Sequence, residues 1–97
     1  MNRINYTKIA KQLKVLADPK RLKIINMLSN ERGELCASDI LKAFRVTQPT
    51  LSHDMKELVD GKFVIARRAG QKTFYSLDYD AVFDLQATFG DICNEKL

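Results

Sequence analysis

Residues 47–60 read TQPTLSHDMKELVD, and they constrain the fold more than any other stretch of the chain. Thr47 can cap a helix with its hydroxyl, and Pro49 fits the first turn because the N–H it lacks has no partner there. Leu51, Met55, Leu58 and Val59 recur at i, i+4, i+7 and i+8, so one side of this helix faces a core. Gln48, Thr50, Ser52, His53 and Lys56 project elsewhere. Just upstream, Cys36 to Phe44 reads as a short helix with Ile40, Leu41 and Phe44 as packing residues. Arg45-Val46 is a tight connection, and two short helices joined so briefly give helix-turn-helix geometry.

The remaining segments fit around that pair. Asn5 to Ala17 sets Ile9, Leu13, Leu16 and Ala17 against Lys8, Lys11 and Lys14, which is an amphipathic helix. Asp18-Pro19 restarts the chain, with Asp18 as cap and Pro19 as first helical residue. This second helix runs to about Ser29, with Leu22, Ile25 and Leu28 inward, and Asn30-Glu31-Arg32-Gly33 turns. Gly61 caps the end of the fourth helix. Phe63 to Arg68 and Thr73 to Leu77 are β-branched or aromatic runs around the turn signal Ala69-Gly70-Gln71-Lys72, hence a β-hairpin. Asp78 caps a last helix with Val82, Leu85, Phe89, Ile92 and Cys93 on one stripe. Four helices, a hairpin and a fifth helix make a mainly α chain with a small β-hairpin: a winged helix-turn-helix. No repeat or linker divides residues 1–97, which read as one domain.

Bulk properties exclude several classes. No apolar run approaches the roughly 20 residues that cross a bilayer. The first residues, MNRINYTKIAKQ, are charged without the apolar core of a secretory signal. Two cysteines do not make a disulfide framework, so the expected compartment is the reducing cytoplasm, with no membrane partner. Charge is unevenly spread. Residues 1–32 carry eight Lys/Arg against two acids, residues 62–76 carry four basic residues and no acid, and residues 77–97 carry one lysine against five acids. Solvated helix faces explain such zones as well as a polyanionic partner does.

Chemistry sharpens the choice. Gln48 offers a donor and an acceptor that match adenine in the major groove of double-stranded DNA, and Ser52 and His53 can bond a base or a phosphate. Thr50 and Lys56 suit the backbone. Arg67, Arg68 and Lys72 on the hairpin suit flanking phosphates or the minor groove. Plainer readings stand beside these. Ser52 can satisfy the helix backbone, His53 can be an ordinary surface residue, and Lys72 can be a solubilising charge.

Four segments in this order resemble the ArsR/SmtB family of small bacterial repressors: ADPKRLKIINML (17–28), GELCASDIL (33–41), VTQPTLSHDMKELVDGKFV (46–64) and RRAGQKTFYSL (67–77). The resemblance covers nearly the whole chain. It implies a homodimer paired through the first and last helices, bound to an operator of two-fold symmetry and released by an inducer. It also implies that Gln48, Pro49, Ser52 and His53 contact DNA. Lys8, Lys11 and Lys14 could then sit near Asp80, Asp84 and Asp91, although exposed pairs contribute only about 0–1 kcal/mol each.

The sensing site departs from the family pattern. The family's cysteines lie in ELCxCD, whereas this chain has Glu34-Leu35-Cys36-Ala37-Ser38-Asp39. One thiolate plus a hydroxyl is a poor soft-metal site. The family's other site needs histidines on the last helix, and the single histidine here is His53. No metal and no cofactor is therefore expected. Cys36, at a helix start, and Cys93, on the last helix, remain candidates for thiol redox or reactive-sulfur sensing. A metal or metalloid response and two inert buried cysteines are the alternatives. A chain without a phosphate loop or paired carboxylates is a poor enzyme. A winged helix that binds protein instead of DNA would lack polar residues at Gln48, Ser52 and His53 and a basic wing.

Overall fold

A computed structural model of the protein describes residues 3–30 and 33–94. Helix α1 spans Tyr6–Leu16; its cap is Asn5, whose side chain accepts the Lys8 N–H at 3.0 Å. Helix α2 spans Pro19–Asn30, and Asp18 Oδ1 accepts the Lys20 N–H at 2.7 Å. The residue before a proline is driven out of the helical region, which separates α1 from α2. Strand β1 is only Leu35–Cys36, and helix α3 follows at Ala37–Ala43. Helix α4 spans Gln48–Asp60, strands β2 and β3 span Val64–Ala69 and Lys72–Leu77, and helix α5 spans Tyr79–Asn94.

The sheet is antiparallel, in the order β1-β3-β2. Its hairpin closes with Ala69 opposite Lys72, leaving a two-residue turn whose first member, Gly70, has φ +63°. Left-handed backbone at that position is what a tight hairpin turn demands and glycine supplies. Ile24, Leu28, Ile40, Leu51, Met55, Leu58, Phe63, Val64 and Leu77 form the core, so every element but α1, β1 and α5 contributes a fully buried side chain to it. Only the root of the hairpin is buried; residues 65–72 are exposed.

Two expectations need correction, on Cys36 and Leu22, and the ends of α4 and α5 gain detail. Cys36 is not the first residue of a helix: with Leu35 it pairs with β3, Leu35 opposite Tyr75 and Cys36 opposite Phe74, and Cys36 then caps α3. Leu22 does not face inward but is 51% exposed, because Ile24 and Leu28, one turn apart, set the buried face of α2. Gly61 caps α4 as expected, in right-handed conformation, and the left-handed residue is Lys62, at φ +71°. A Cβ on Gly61 would lie 3.1 Å from the Glu57 carbonyl oxygen and 3.2 Å from Val15, so glycine is needed there for close approach of α1. The α5 stripe is not buried within one chain: Val82 and Leu85 pack on the core, Phe89 is exposed, and no α5 residue is fully buried. The Glu31 and Arg32 part of the expected turn lies outside the described residues.

The chain is correspondingly elongated, 49 × 22 × 21 Å, with a Cα radius of gyration of 14.9 Å. A compact domain of this length would have about 12.5 Å. Among the described residues, no helix is long and apolar enough to cross a membrane.

Candidate nucleic-acid interface

Helix α4 is capped at the head of its polar face. Thr47 Oγ1 accepts the Thr50 N–H at 3.3 Å, and the Thr47 hydroxyl donates to Thr50 Oγ1 at 3.0 Å. Leu51, Met55 and Leu58 anchor the opposite face in the core, as their spacing requires. Asp54, which was not expected to be buried, is 3% exposed and pairs with Arg21 on α2, Nη1 to Oδ1 at 3.1 Å. That ion pair ties the helix that carries the reading residues to the scaffold. Its one sequence signal was a carboxylate at i+3 from Leu51 and i−4 from Leu58, on the apolar side.

Gln48, Pro49, Thr50, Ser52, His53 and Lys56 are all exposed. A cleft of about 550 Å³ opens between the head of α4 and the wing. Gln48 and Ser52 line one wall, Arg68, Lys72 and Tyr75 the other, and Cys36 and Ser38 the end nearest α3. Burial pushes the Tyr75 phenol above its ordinary pKa, so it stays a neutral hydrogen-bonding group. Pro49, Thr50, His53 and Lys56 sit on the exposed face of α4 outside this cleft. His53 Nε2 is 3.9 Å from Glu57, and Lys56 Nζ is 2.6 Å from Asp60, whose hydrogen bond and charge raise the Lys56 pKa.

The three basic wing residues divide. Successive side chains on a strand point to opposite faces. Arg68 enters the cleft wall, whereas Arg67 turns to the other side. There Arg67 Nε lies 3.0 and 2.9 Å from the two Glu34 carboxylate oxygens, and Nη2 lies 2.7 Å from Oε1. The guanidinium also sits 4.8 Å from the centroid of the Phe74 ring.

Both cysteines are free. The Cys36 thiol donates to Asp39 Oδ2 at 3.0 Å and lies 3.0 Å from Ser38 Oγ. That hydrogen bond is the largest influence holding the Asp39 carboxyl below its ordinary pKa. Cys93 is exposed on the last turn of α5. Among the described residues, no cluster of three His, Cys, Asp or Glu side chains could hold a metal ion. Of the charges on the first and last helices, Lys8 shares a groove of about 210 Å³ with Asp84 and Asp91. Lys11 instead lines a groove beside Glu57 and Asp60. No salt bridge joins α1 to α5 among the described residues.

A short helix, a tight turn and a polar-headed second helix, flanked by a basic hairpin, define a winged helix-turn-helix regulator of transcription. Residues 18–65 match the family described as "Bacterial regulatory protein, arsR family". Over 77 residues the chain is 48% identical to the "Arsenical resistance operon repressor" of Staphylococcus xylosus, a match spanning 79% of this chain and 72% of that protein. Among solved structures, a "Possible transcriptional regulator for arsenical resistance" superposes with a TM-score of 0.75 at 26% identity, covering 84% of this chain and 83% of that one. The solution structure of a homodimeric winged helix-turn-helix DNA-binding domain from Mycobacterium bovis gives a TM-score of 0.71 at 25% identity, over 100% and 93% of the two chains. The chain belongs to the ArsR family of transcriptional repressors, and it is a DNA-binding regulator, not an enzyme.

Proposed function

We propose that residues 1–97 act as one DNA-binding and dimerisation unit, a cytoplasmic homodimeric repressor that grips a palindromic operator and is released by an inducer. One observation carries the DNA side: Gln48 and Ser52 of α4 and Arg68 and Lys72 of the hairpin, some 20 residues on, line a single exposed cleft. In this reading α4 enters the major groove, with Gln48 reading a base edge and Ser52 and His53 bonding bases or phosphates. Pro49, Thr50 and Lys56 follow the backbone beside them. Arg68 and Lys72 hold flanking phosphates or the minor groove.

The dimer side rests on α1 and α5. Tyr6, Leu13, Tyr79, Phe83 and Phe89 are exposed apolar side chains on these two helices. Tyr79 and Phe83 already lie together, their rings tilted 35° with centroids 6.1 Å apart. A second copy covering this surface completes the burial that one elongated chain leaves undone. The Mycobacterium bovis neighbour is homodimeric, which agrees with this reading.

The named relatives point to an arsenical-resistance operon as the regulated target. Cys36 is the one thiol in the wall of the reading cleft, so a thiol-directed inducer acting at the cleft acts there. Because Ser38 stands beside it in place of a second thiol, Cys36 offers an arsenic(III) centre only one thiolate at the head of α3. Fluorescence anisotropy with the chain's own upstream DNA, with and without random competitor, tests the reading. Specific binding released by arsenite or by a persulfide donor, and insensitive to both in the Cys36→Ser protein, is the expected result. A protein that ignores duplex DNA in dilute buffer overturns it.

A further inference from the structure

The wing is weakly attached to the body. Phe63, Val64 and Leu77 root it in the core, but residues 65–72 are exposed, and β1 offers β3 only two paired residues. Both pairs lie near one point, so the hairpin arm beyond Phe74 has no backbone partner outside itself. Yet Arg68 and Lys72, at and near the tip, are the wing's side of the reading cleft. Their position relative to Gln48 and Ser52 is set by whatever stops the arm from swinging.

The register identifies that restraint. Arg67 and Phe74 are partners across the hairpin and so face the same side of the sheet, away from the cleft. Glu34, just before β1, reaches Arg67 on that side. Arg67 presents Nε and Nη2 to the Glu34 carboxylate in a forked arrangement while its flat guanidinium rests over Phe74. Forked arginine–carboxylate contacts fix direction as well as distance, unlike a single charge contact. The Arg67 side chain is 53% exposed and that of Glu34 is 31% exposed, so the fork sits at the surface but is not stranded in bulk water.

We propose that Glu34 and Arg67 form a latch that pins the wing to the strand leading into α3, making both of them positioning residues for DNA binding. Arg67 is then no phosphate contact, despite standing next to Arg68. The proposal deepens the DNA-binding reading and rests on it. The alternative is that Arg67 leaves Glu34 to grip a phosphate when DNA arrives, with Glu34 as its competitor in the free protein.

The two predict opposite signs. Glu34→Gln, Arg67→Gln and the double variant are titrated against the operator duplex at several salt concentrations. With a latch, each single change weakens binding by about three- to tenfold, the scale of one well-formed surface ion pair. The double variant then binds no worse than Arg67→Gln, and the slope of log K against log salt stays at the wild-type value for all three. If Arg67 instead grips a phosphate, Arg67→Gln flattens that slope by about 0.9 and Glu34→Gln tightens binding. Either result overturns the latch, as do additive losses or no loss at all. Amide hydrogen exchange across residues 66–75 of the free protein gives a second measurement that needs no DNA. Faster exchange in both single variants supports the latch, and unchanged exchange overturns it. Should the wild-type protein bind no duplex, the regulator reading fails and exchange alone decides the latch.

Discussion

Removing the Asp54 carboxylate tests how the reading helix is held. In Asp54→Ala, Arg21 keeps its Val15 carbonyl partner and a distant contact to Asp18 at 3.8 Å, but loses the 3.1 Å contact to Asp54. The side chains are 14% and 4% exposed, so both charges are largely withdrawn from water. Breaking a fully buried pair from one side costs about 3–5 kcal/mol, because the remaining charge is left uncompensated. Asp18 and the residual exposure of Arg21 reduce that here, to about 2–3 kcal/mol. For a domain of this size each kcal/mol moves Tm by roughly 4–8 °C, so the melting transition falls by about 8–24 °C. Protomer concentration must be fixed across the series, since association contributes to the apparent stability. Arg21→Met and the double variant complete a cycle with an expected coupling of about 1–2 kcal/mol. A loss below about 0.5 kcal/mol for Asp54→Ala, or additive single losses, refutes the strut.

Other outcomes follow from the cleft and the latch. Gln48→Ala weakens operator binding by about 1–3 kcal/mol and leaves affinity for random duplex nearly unchanged, read by competition anisotropy. Arg68→Ala weakens both and lowers the salt slope by about 0.9. The Arg67 hydrogen bond, and its charge, hold the Glu34 carboxyl below its ordinary value of 4.5. A depressed carboxylate stabilises the folded wing above the unfolded pKa and loses that contribution as pH falls through the lower folded value. Wing amide exchange is therefore flat from pH 7 to 5, after correction for the intrinsic rate. Below about 4.5 it accelerates in the wild type and not in Glu34→Gln.

Much of the architecture was legible because local chemistry and periodicity agreed. Thr47, Pro49 and the Leu51–Met55–Leu58 spacing mark α4 without help from the rest of the fold. Gly70 marks the wing turn, and Asp18-Pro19 the break between α1 and α2. Strand β1 was hidden because two residues display no alternation, and Cys36 reads equally well as the start of a helix. Leu22 misled because the apolar side chains of α2 form a broad band, and only packing against α4 and the sheet chooses Ile24 and Leu28. At the site, the polar head of α4 and the basic wing were visible, but the division between Arg67 and Arg68 was not. It depends on Glu34, 33 positions away, which carries no local signal of its partner.

The sheet order leaves β2 as an outer strand, solvent-exposed from Ile65 to Ala69. Its free rim carries backbone donors and acceptors that any foreign strand could use, and a half-exposed isoleucine invites one. The Arg68 guanidinium, with no carboxylate partner among the described residues, makes the docking of an identical rim repulsive, as gatekeeper charges do beside other sticky strands. The wing's positive charge thus also protects solubility, so neutralising it to probe recognition risks turning the hairpin into a seed for clumping.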